Sequence, residues 1–229
     1  MSLGLRKNMK RKILMSWSSG KDSAWALHTL RQDPTIELVG LFCTVNKEFE
    51  RVAMHGVRLE LLERQAKSLN LPLEVIEIPF PCSNSDYEEI MGKFVERAKA
   101  ENIEHFAFGD LFLEDIRQYR EEKLKGTGIS PLFPIWGIPT HQLIREMLAG
   151  GLKTVVSCID PKQISEDFVG KELNADFLAS LPGNVDPCGE NGEFHSFAFD
   201  GPMFNEKIDI LVGDIVHRDG FVFADILSA

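Results

Sequence analysis

Ile13-Leu-Met-Ser-Trp-Ser-Ser-Gly-Lys-Asp-Ser-Ala-Trp-Ala-Leu-His28 opens the patterned part of the chain. An apolar run ends in the small residues Ser18, Ser19 and Gly20, and a helix-patterned segment follows at once. A strand, a tight turn and a helix N-terminus in that order present free backbone N–H groups and a partial positive charge at the turn, which suits a phosphate. Small side chains let the backbone close on an anion, and the hydroxyls of Ser18, Ser19 and Ser23 add donors. Lys21 brings a cation. Asp22 would repel a bare phosphate, so it reads as a Mg²⁺ ligand beside one. The segment asks for a magnesium-bound nucleotide. The competing reading is an ordinary strand-to-helix turn with a serine cap.

Spacing removes two common nucleotide loops. A Walker A loop needs glycine at its head and Ser or Thr directly after its Gly-Lys pair; those positions hold Met15 and Asp22. A dinucleotide fingerprint needs several spaced glycines, and this loop has only Gly20. Ser18-x-Gly20-x-Asp22-Ser23 resembles the PP-loop, SGGxDS, of the N-type ATP pyrophosphatases, with Ser19 at the first glycine. That resemblance implies cleavage of ATP between its α and β phosphates to adenylate an acceptor.

Away from this loop the first half alternates strand and helix patterns. Strands are expected at 13–17, 37–45, 73–79 and 105–109, and helices at 23–32, 52–69, from a capping box at Ser85–Glu88 to about 101, and at 114–125. This order predicts a doubly wound parallel α/β sheet, whose ligands sit beyond the carboxyl ends of the strands. The loops at 18–22, 43–47 and 109–112 all fall there. Residues 1–126 read as the ATP-binding domain. Residues 127–229 read as a smaller α+β subdomain, with helices near 140–148, 165–168 and 175–181 and strands at 153–159, 194–199, 207–212, 214–218 and 220–226.

Composition narrows the class. The 229 residues carry 25 Lys plus Arg against 35 Asp plus Glu, a formal charge of −10, which gives no electrostatic footprint for nucleic acid. The basic run Arg6-Lys7-Asn8-Met9-Lys10-Arg11-Lys12 precedes the first strand, with Met9 an alternative start, and residues 1–12 are expected to stand outside the fold. Cys43, Cys82, Cys158 and Cys188 show no metal spacing, and their scatter argues against sulfur transfer. No apolar run approaches the roughly 20 residues of a membrane span. A reduced, cytoplasmic setting without membrane contact is expected.

Cys188-Gly-Glu-Asn-Gly-Glu-Phe-His-Ser-Phe197 is the second informative run, with Asp186 just before it. An Asn-Gly hairpin turn would explain part of it. The number of polar groups and the flanking Phe194, Phe197 and Phe199 favour a rigidly anchored site in which Glu190 and Glu193 take a proton from, or orient, a nitrogen nucleophile. Asp110, after Gly109, reads as a Mg²⁺ or ribose ligand or as a helix cap. Arg117, favoured over Arg120, reads as a pyrophosphate contact or a solvated charge, while His55 and His28 read as structural.

With both runs placed, the chain resembles the diphthine–ammonia ligase family, also called the ATP-binding domain 4 family. The resemblance rests on Ser18–Ser23, His55 with Leu61-Leu-Glu-Arg-Gln-Ala66, Gly109-Asp110 with Arg117, and Gly189-Glu-Asn-Gly-Glu-Phe194, similar to the family's EGGEF motif with Asn191 at its first glycine. Asp186–His195 looks like a bacterial branch, for which the acceptor would not be diphthine. The resemblance implies a HUP-type fold, Mg²⁺ and ATP, and adenylation of a carboxylate that ammonia or an amine then attacks. Ser18, Ser19, Gly20, Lys21, Asp22 and Ser23 would hold the phosphates, with Asp22 on the metal, and Cys43, Thr44, Gly109, Asp110 and Arg117 the rest of the nucleotide. Lys21, Asp22, Glu190 and Glu193 would be catalytic, and Asn191, Gly192 and His195 would meet the acceptor. A homodimer is a further expectation. The alternatives are an adenine-nucleotide sensor without turnover and a tRNA-modifying enzyme.

Overall fold

A computed structural model describes residues 10–48, 51–52 and 56–229. The first sheet and its helices run β1 (Arg11–Ser16), α1 (Lys21–Arg31), β2 (Ile36–Asn46), β3 (Arg51–Val52), α2 (Leu59–Leu69), β4 (Leu73–Ile78), α3 (Asn84–Ala100), β5 (His105–Ala107), α4 (Glu114–Leu124) and β6 (Ser130–Leu132). Five strands are parallel, in the order β4-β2-β1-β5-β6, and β3 pairs antiparallel with Val45 and Asn46 at the end of β2. Strand β1 shows why both faces are covered. Ile13 and Met15 join a core with Ala24 and Leu27 of α1 and Leu61 and Leu62 of α2, whereas Leu14 joins Phe94 of α3 and Leu124 of α4. Such strands read as continuous apolar runs. The chain moves outward from β1 through β2 to β4, then returns to β5 on the other side. That reversal opens a crevice between the carboxyl ends of β1 and β5.

The rest of the chain adds α5 (Thr140–Ala149), β7 (Lys153–Ile159), a 3₁₀ turn at Glu166–Phe168, α6 (Ala175–Ser180), β8 (Phe194–Asp200), β9 (Ile210–Arg218) and β10 (Phe221–Ser228). These strands form an antiparallel sheet in the order β8-β7-β10-β9. Helix α1 joins the two sheets. Its Ala24, Trp25 and Leu27 share one buried cluster with Val156 and Phe197, and Arg31 donates to the Met203 and Leu69 carbonyls, both at 2.6 Å. Among the described residues, no helix is long and apolar enough to cross a membrane.

The structure corrects several boundaries. The helix expected from Val52 begins at Leu59, because Val52 pairs with Val45 and Gly56 sits at φ +66°, which an α-helix cannot contain. His55 lies outside the described residues, as do residues 1–9. Arg11 and Lys12 belong to the fold instead of standing outside it. Arg11 and Lys12 begin β1, and Arg11 reaches Thr35 at 3.0 Å and Asp33 at 3.3 Å. The capping box is Ser83 with Asp86, not Ser85 with Glu88: Ser83 Oγ accepts from the Asp86 amide at 3.1 Å, and Asp86 accepts from the Ser83 amide at 3.3 Å. The parallel sheet continues past Gly126, since 130–132 forms its edge strand, where Pro131 is tolerated. The two strands expected over 207–218 are one, β9.

Candidate active site

The turn after β1 is held from several directions. Ser18 Oγ lies 3.1 Å from Ser23 Oγ, which donates to the Gly20 carbonyl at 3.0 Å. Ser19 is fully buried at φ +70°, the conformation in which glycine is at ease, and its carbonyl accepts from the Ala198 amide at 2.9 Å and Gln65 Nε2 at 3.0 Å. Gly20 is the N-cap of α1 and supplies no side-chain cap; Ser196 Oγ of β8 instead accepts from the Lys21 amide at 3.2 Å. The serine-cap reading of the turn therefore fails in its local form. The second strand end closes on this turn at Gly109, where a β-carbon would stand 2.8 Å from the Asp22 and Ser23 backbone. Only glycine lets the chain pass there.

Two adjoining cavities open at the crevice. The smaller, about 280 Å³, is lined by Ser18, Gly20–Ser23, Gly109, Asp110 and Arg120 from the first sheet and by Cys188–Glu190, Gly192 and Phe194–Ser196 from the second half. The larger, about 590 Å³, lies between α3 and α4 over Phe42, Cys43, Thr44, Phe106 and Phe108. Ser16, Ser18, Phe108 and Arg120 line both. An elongated ligand with an apolar part and a charged part fits that pair of shapes.

Charge is concentrated in the small cavity. Lys21 is 3% exposed, contacts Asp22 at 2.7 Å and lies 5.6 Å from the centre of the Phe194 ring. Burial works against its charge, but the neighbouring carboxylates of Asp22 and Glu190 carry its pKa above the ordinary value. Burial raises the Asp22 pKa, while Lys21 opposes the rise. A direct contact to a protonated ammonium favours the carboxylate, so the pair stands as ionic. Glu190, which accepts from the Leu111 amide at 3.3 Å, is pushed up to about 7 by burial and by the charge of Asp22. His195 is lowered to about 4 by burial and by Lys21, so it is neutral at ordinary pH. Burial pushes the Cys188 thiol up to about 12, which leaves it unreactive.

Asp22 Oδ1 is buried without a hydrogen-bond partner in the wall of this cavity. A lone carboxylate oxygen beside a phosphate seat fits a Mg²⁺ ion. Among the described residues, no three His, Cys, Asp or Glu side chains converge on one metal position. An ion there would take its remaining ligands from phosphate oxygens and water, as magnesium commonly does.

The crevice gathers most residues singled out from sequence. Ser18, Gly20, Lys21, Asp22, Ser23, Gly109, Asp110, Glu190, Gly192 and His195 line the small cavity, and Cys43 and Thr44 the large one. Ser19 shapes the turn from beneath. Three placements differ. Glu193 is 2% exposed and turned into its own loop, where it accepts from the Asp186 amide at 2.8 Å, the Asn191 amide at 2.9 Å and Asn191 Nδ2 at 3.1 Å. Its oxygens face these donors within the loop, and it is absent from the cavity wall. Asn191 is spent on the same bonds and is absent from the cavity wall. Arg117 pairs with Glu121 at 2.9 Å and lies over Phe133 and Trp136, while Arg120, held by Asp110 at 2.6 Å and 3.3 Å and lying 4.2 Å from the Phe108 ring centre, faces both cavities. Asp110 is thus the partner of Arg120 and not a helix cap.

Comparison with known proteins agrees with this arrangement in two blocks. Residues 9–131 match the diphthamide synthase N-terminal domain, and residues 139–226 match the diphthamide synthase C-terminal domain. The chain belongs to the diphthamide synthase family. The break between the blocks begins within β6, the edge strand at which the parallel sheet ends. Human diphthine–ammonia ligase is 24% identical over 91% of this chain and 86% of its own length. The mouse diphthine–ammonia ligase is 26% identical over 67% of this chain, and the match spans only 60% of the mouse protein. A U34-tRNA thiolase from Methanococcus maripaludis is 16% identical, with a TM-score of 0.39 over 62% of this chain and 58% of that one, a likeness too slight to argue from. Arg120 and Ser196 also line the small cavity, and Gln65 and Asp186 brace its loops from outside that wall. Local pattern gives Gln65 no role within its helix motif and does not separate Arg120 from Arg117.

Proposed function

We propose that this protein is an ATP-dependent, AMP-forming ligase that adenylates a carboxylate and passes it to ammonia or an amine. The observation that carries this reading is the meeting, in one small cavity, of Lys21, Asp22 and the α1 N-terminus with Glu190 of the other half. In this reading the adenosine lies in the larger cavity beside Phe42–Thr44, and the phosphates lie on Ser18–Ser23. Asp22 would hold Mg²⁺, which supplies charge stabilisation and orientation for the phosphates. Lys21, kept protonated by its neighbours, neutralises charge developing on the departing pyrophosphate. Arg120 reaches the same region from the large cavity. Glu190, with its pKa near 7, takes the proton that the nitrogen nucleophile must shed, a task for which a base poised near working pH is best suited. His195 remains neutral and orients the acceptor. The curated relatives carry diphthine–ammonia ligase as their name, which supports the reaction class; the acceptor of this chain stays open within it.

Titration calorimetry of Mg-ATP on the wild type and Asp22→Ala, followed by nucleotide analysis with candidate acceptors and ammonium, tests the reading. Micromolar binding with AMP and pyrophosphate in the wild type, and loss of AMP formation in Asp22→Ala, are expected. Undiminished AMP formation by the variant would overturn the role of Asp22, and no nucleotide binding at all would overturn the whole reading.

A further inference from the structure

Glu190 stands at the tip of a loop that is bonded mainly to itself. Asp186 Oδ1 accepts from the Cys188 amide at 2.8 Å and the Glu190 amide at 3.3 Å, and its Oδ2 accepts from Thr140 Oγ1 at 2.6 Å. The amide of Asp186 in turn donates to Glu193 Oε1 at 2.8 Å, and the amide of Asn191 to Glu193 Oε2 at 2.9 Å. Every carboxylate oxygen of the two acids therefore accepts from the segment that carries Glu190, or from the first residue of α5. Thr140 also accepts, through its carbonyl, from Cys188 Sγ at 3.4 Å. Charge-assisted bonds of this kind fix backbone geometry more tightly than neutral ones.

We propose that Asp186 and Glu193 are positioning residues, a pair of internal carboxylate clasps that, with Thr140 as the anchor on α5, hold Glu190 against the Lys21–Asp22 pair. Neither acid needs to touch a reacting atom. An exposed Asn-Gly turn would let Glu190 swing into water, where its carboxylate would behave like any other. Clasped, it faces Asp22 and Lys21 of α1 and Asp110 of the β5–α4 loop, with Arg120 and His195 in the same cavity wall. Its use as a base rests on the proposed function; its placement does not.

The test is a ¹³C NMR titration of the Glu190 side-chain carboxyl, assigned by its loss in Glu190→Gln, on full-length protein without nucleotide. The wild type is expected to titrate near 7. Asp186→Asn, which puts an amide among N–H donors and also removes a nearby negative charge, is expected to move the midpoint down by about one pH unit or more, so the uncharged Thr140 variants separate loss of the clasp from loss of the charge. Thr140→Val should move it the same way, and Thr140→Ser, which keeps the hydroxyl, should restore the wild-type curve. Should Asp186→Asn fail to fold, the Thr140 pair decides. A midpoint left where it is in the wild type by the folded variants overturns the proposal. Because no turnover is read, this outcome is separate from the failure of AMP formation that would overturn the proposed function.

Discussion

Ser19 carries two burdens that its neighbours do not. It sits at φ +70°, and its buried hydroxyl finds no hydrogen-bond partner. Left-handed backbone costs an L-residue about 1–2 kcal/mol, and an unpaired buried hydroxyl adds to that. The bonds that matter at Ser19 come from its carbonyl, which any residue would supply. Ser19→Gly is therefore expected to stabilise the protein by about 1 kcal/mol after the entropy of a new glycine is subtracted, a rise in melting temperature of about 2–4 °C. Thermal unfolding checks it, and a lower melting temperature would mean that the hydroxyl has work in the turn. Glu190 bears a burden of another kind. Its folded pKa of about 7 stands above the unfolded value of 4.5, so its contribution to stability is fully present below pH 4.5 and is lost as pH rises through 7. Glu190→Gln removes that loss. The variant should melt above the wild type at pH 8 and level with it at pH 4; a constant gap across this range would show that Glu190 does not titrate as placed.

At the level of single elements, α4 shows where local pattern stops informing. Arg117 and Arg120 are one turn apart on the same helix, and periodicity alone gave no reason to prefer the one that faces the cavities. The choice is made by Asp110, which takes Arg120 in a bidentate contact, and by Phe133 and Trp136, over which Arg117 lies. Arg120→Ala is expected to weaken Mg-ATP binding by about 10- to 100-fold, the value of one or two charge-assisted bonds, with Arg117→Ala within about twofold of wild type. Calorimetry that ranks the two in reverse would return the pyrophosphate to Arg117. The same contrast divides Glu190 from Glu193. They are identical in type and three residues apart, yet one faces the cavity and the other faces its own loop. What was legible at this scale was whatever repeats along the chain: the apolar strands, the helix periods and the small-residue turn that sets the phosphate loop. The bonds of Ser196 to Lys21 and of Asp186 to Thr140 were not legible, because the partners stand far apart in sequence. The helix start at Leu59 was hidden by Gly56, whose φ cannot be read from its name.

Across the whole molecule, the two sheets are tied together at Gln65. This fully buried amide of α2 accepts from the Trp17 indole at 2.8 Å and donates to the Ser19 carbonyl at 3.0 Å and the Ala198 carbonyl at 2.6 Å. It thereby ties α2, the phosphate loop and β8 at one point, inside an apolar cluster that runs from Ile13 through α1 to Phe197. A continuous core with shared polar bonds has no seam along which one half could unfold first, so a single cooperative transition is expected. Gln65→Leu keeps the volume but strands one indole N–H and weakens two buried carbonyls. Each such group costs about 1–3 kcal/mol, and linked groups lose more than one pair's worth. The variant should lose at least about 3 kcal/mol and melt about 6–12 °C lower, still in one step. Its affinity for Mg-ATP should also fall, because the freed Ser19 carbonyl loosens the phosphate turn that Gln65 supports from beneath. Calorimetric unfolding with and without nucleotide measures both effects. Two resolved transitions, or a drop in stability with nucleotide affinity untouched, would mean that the halves fold separately and that the phosphate loop does not depend on the second sheet.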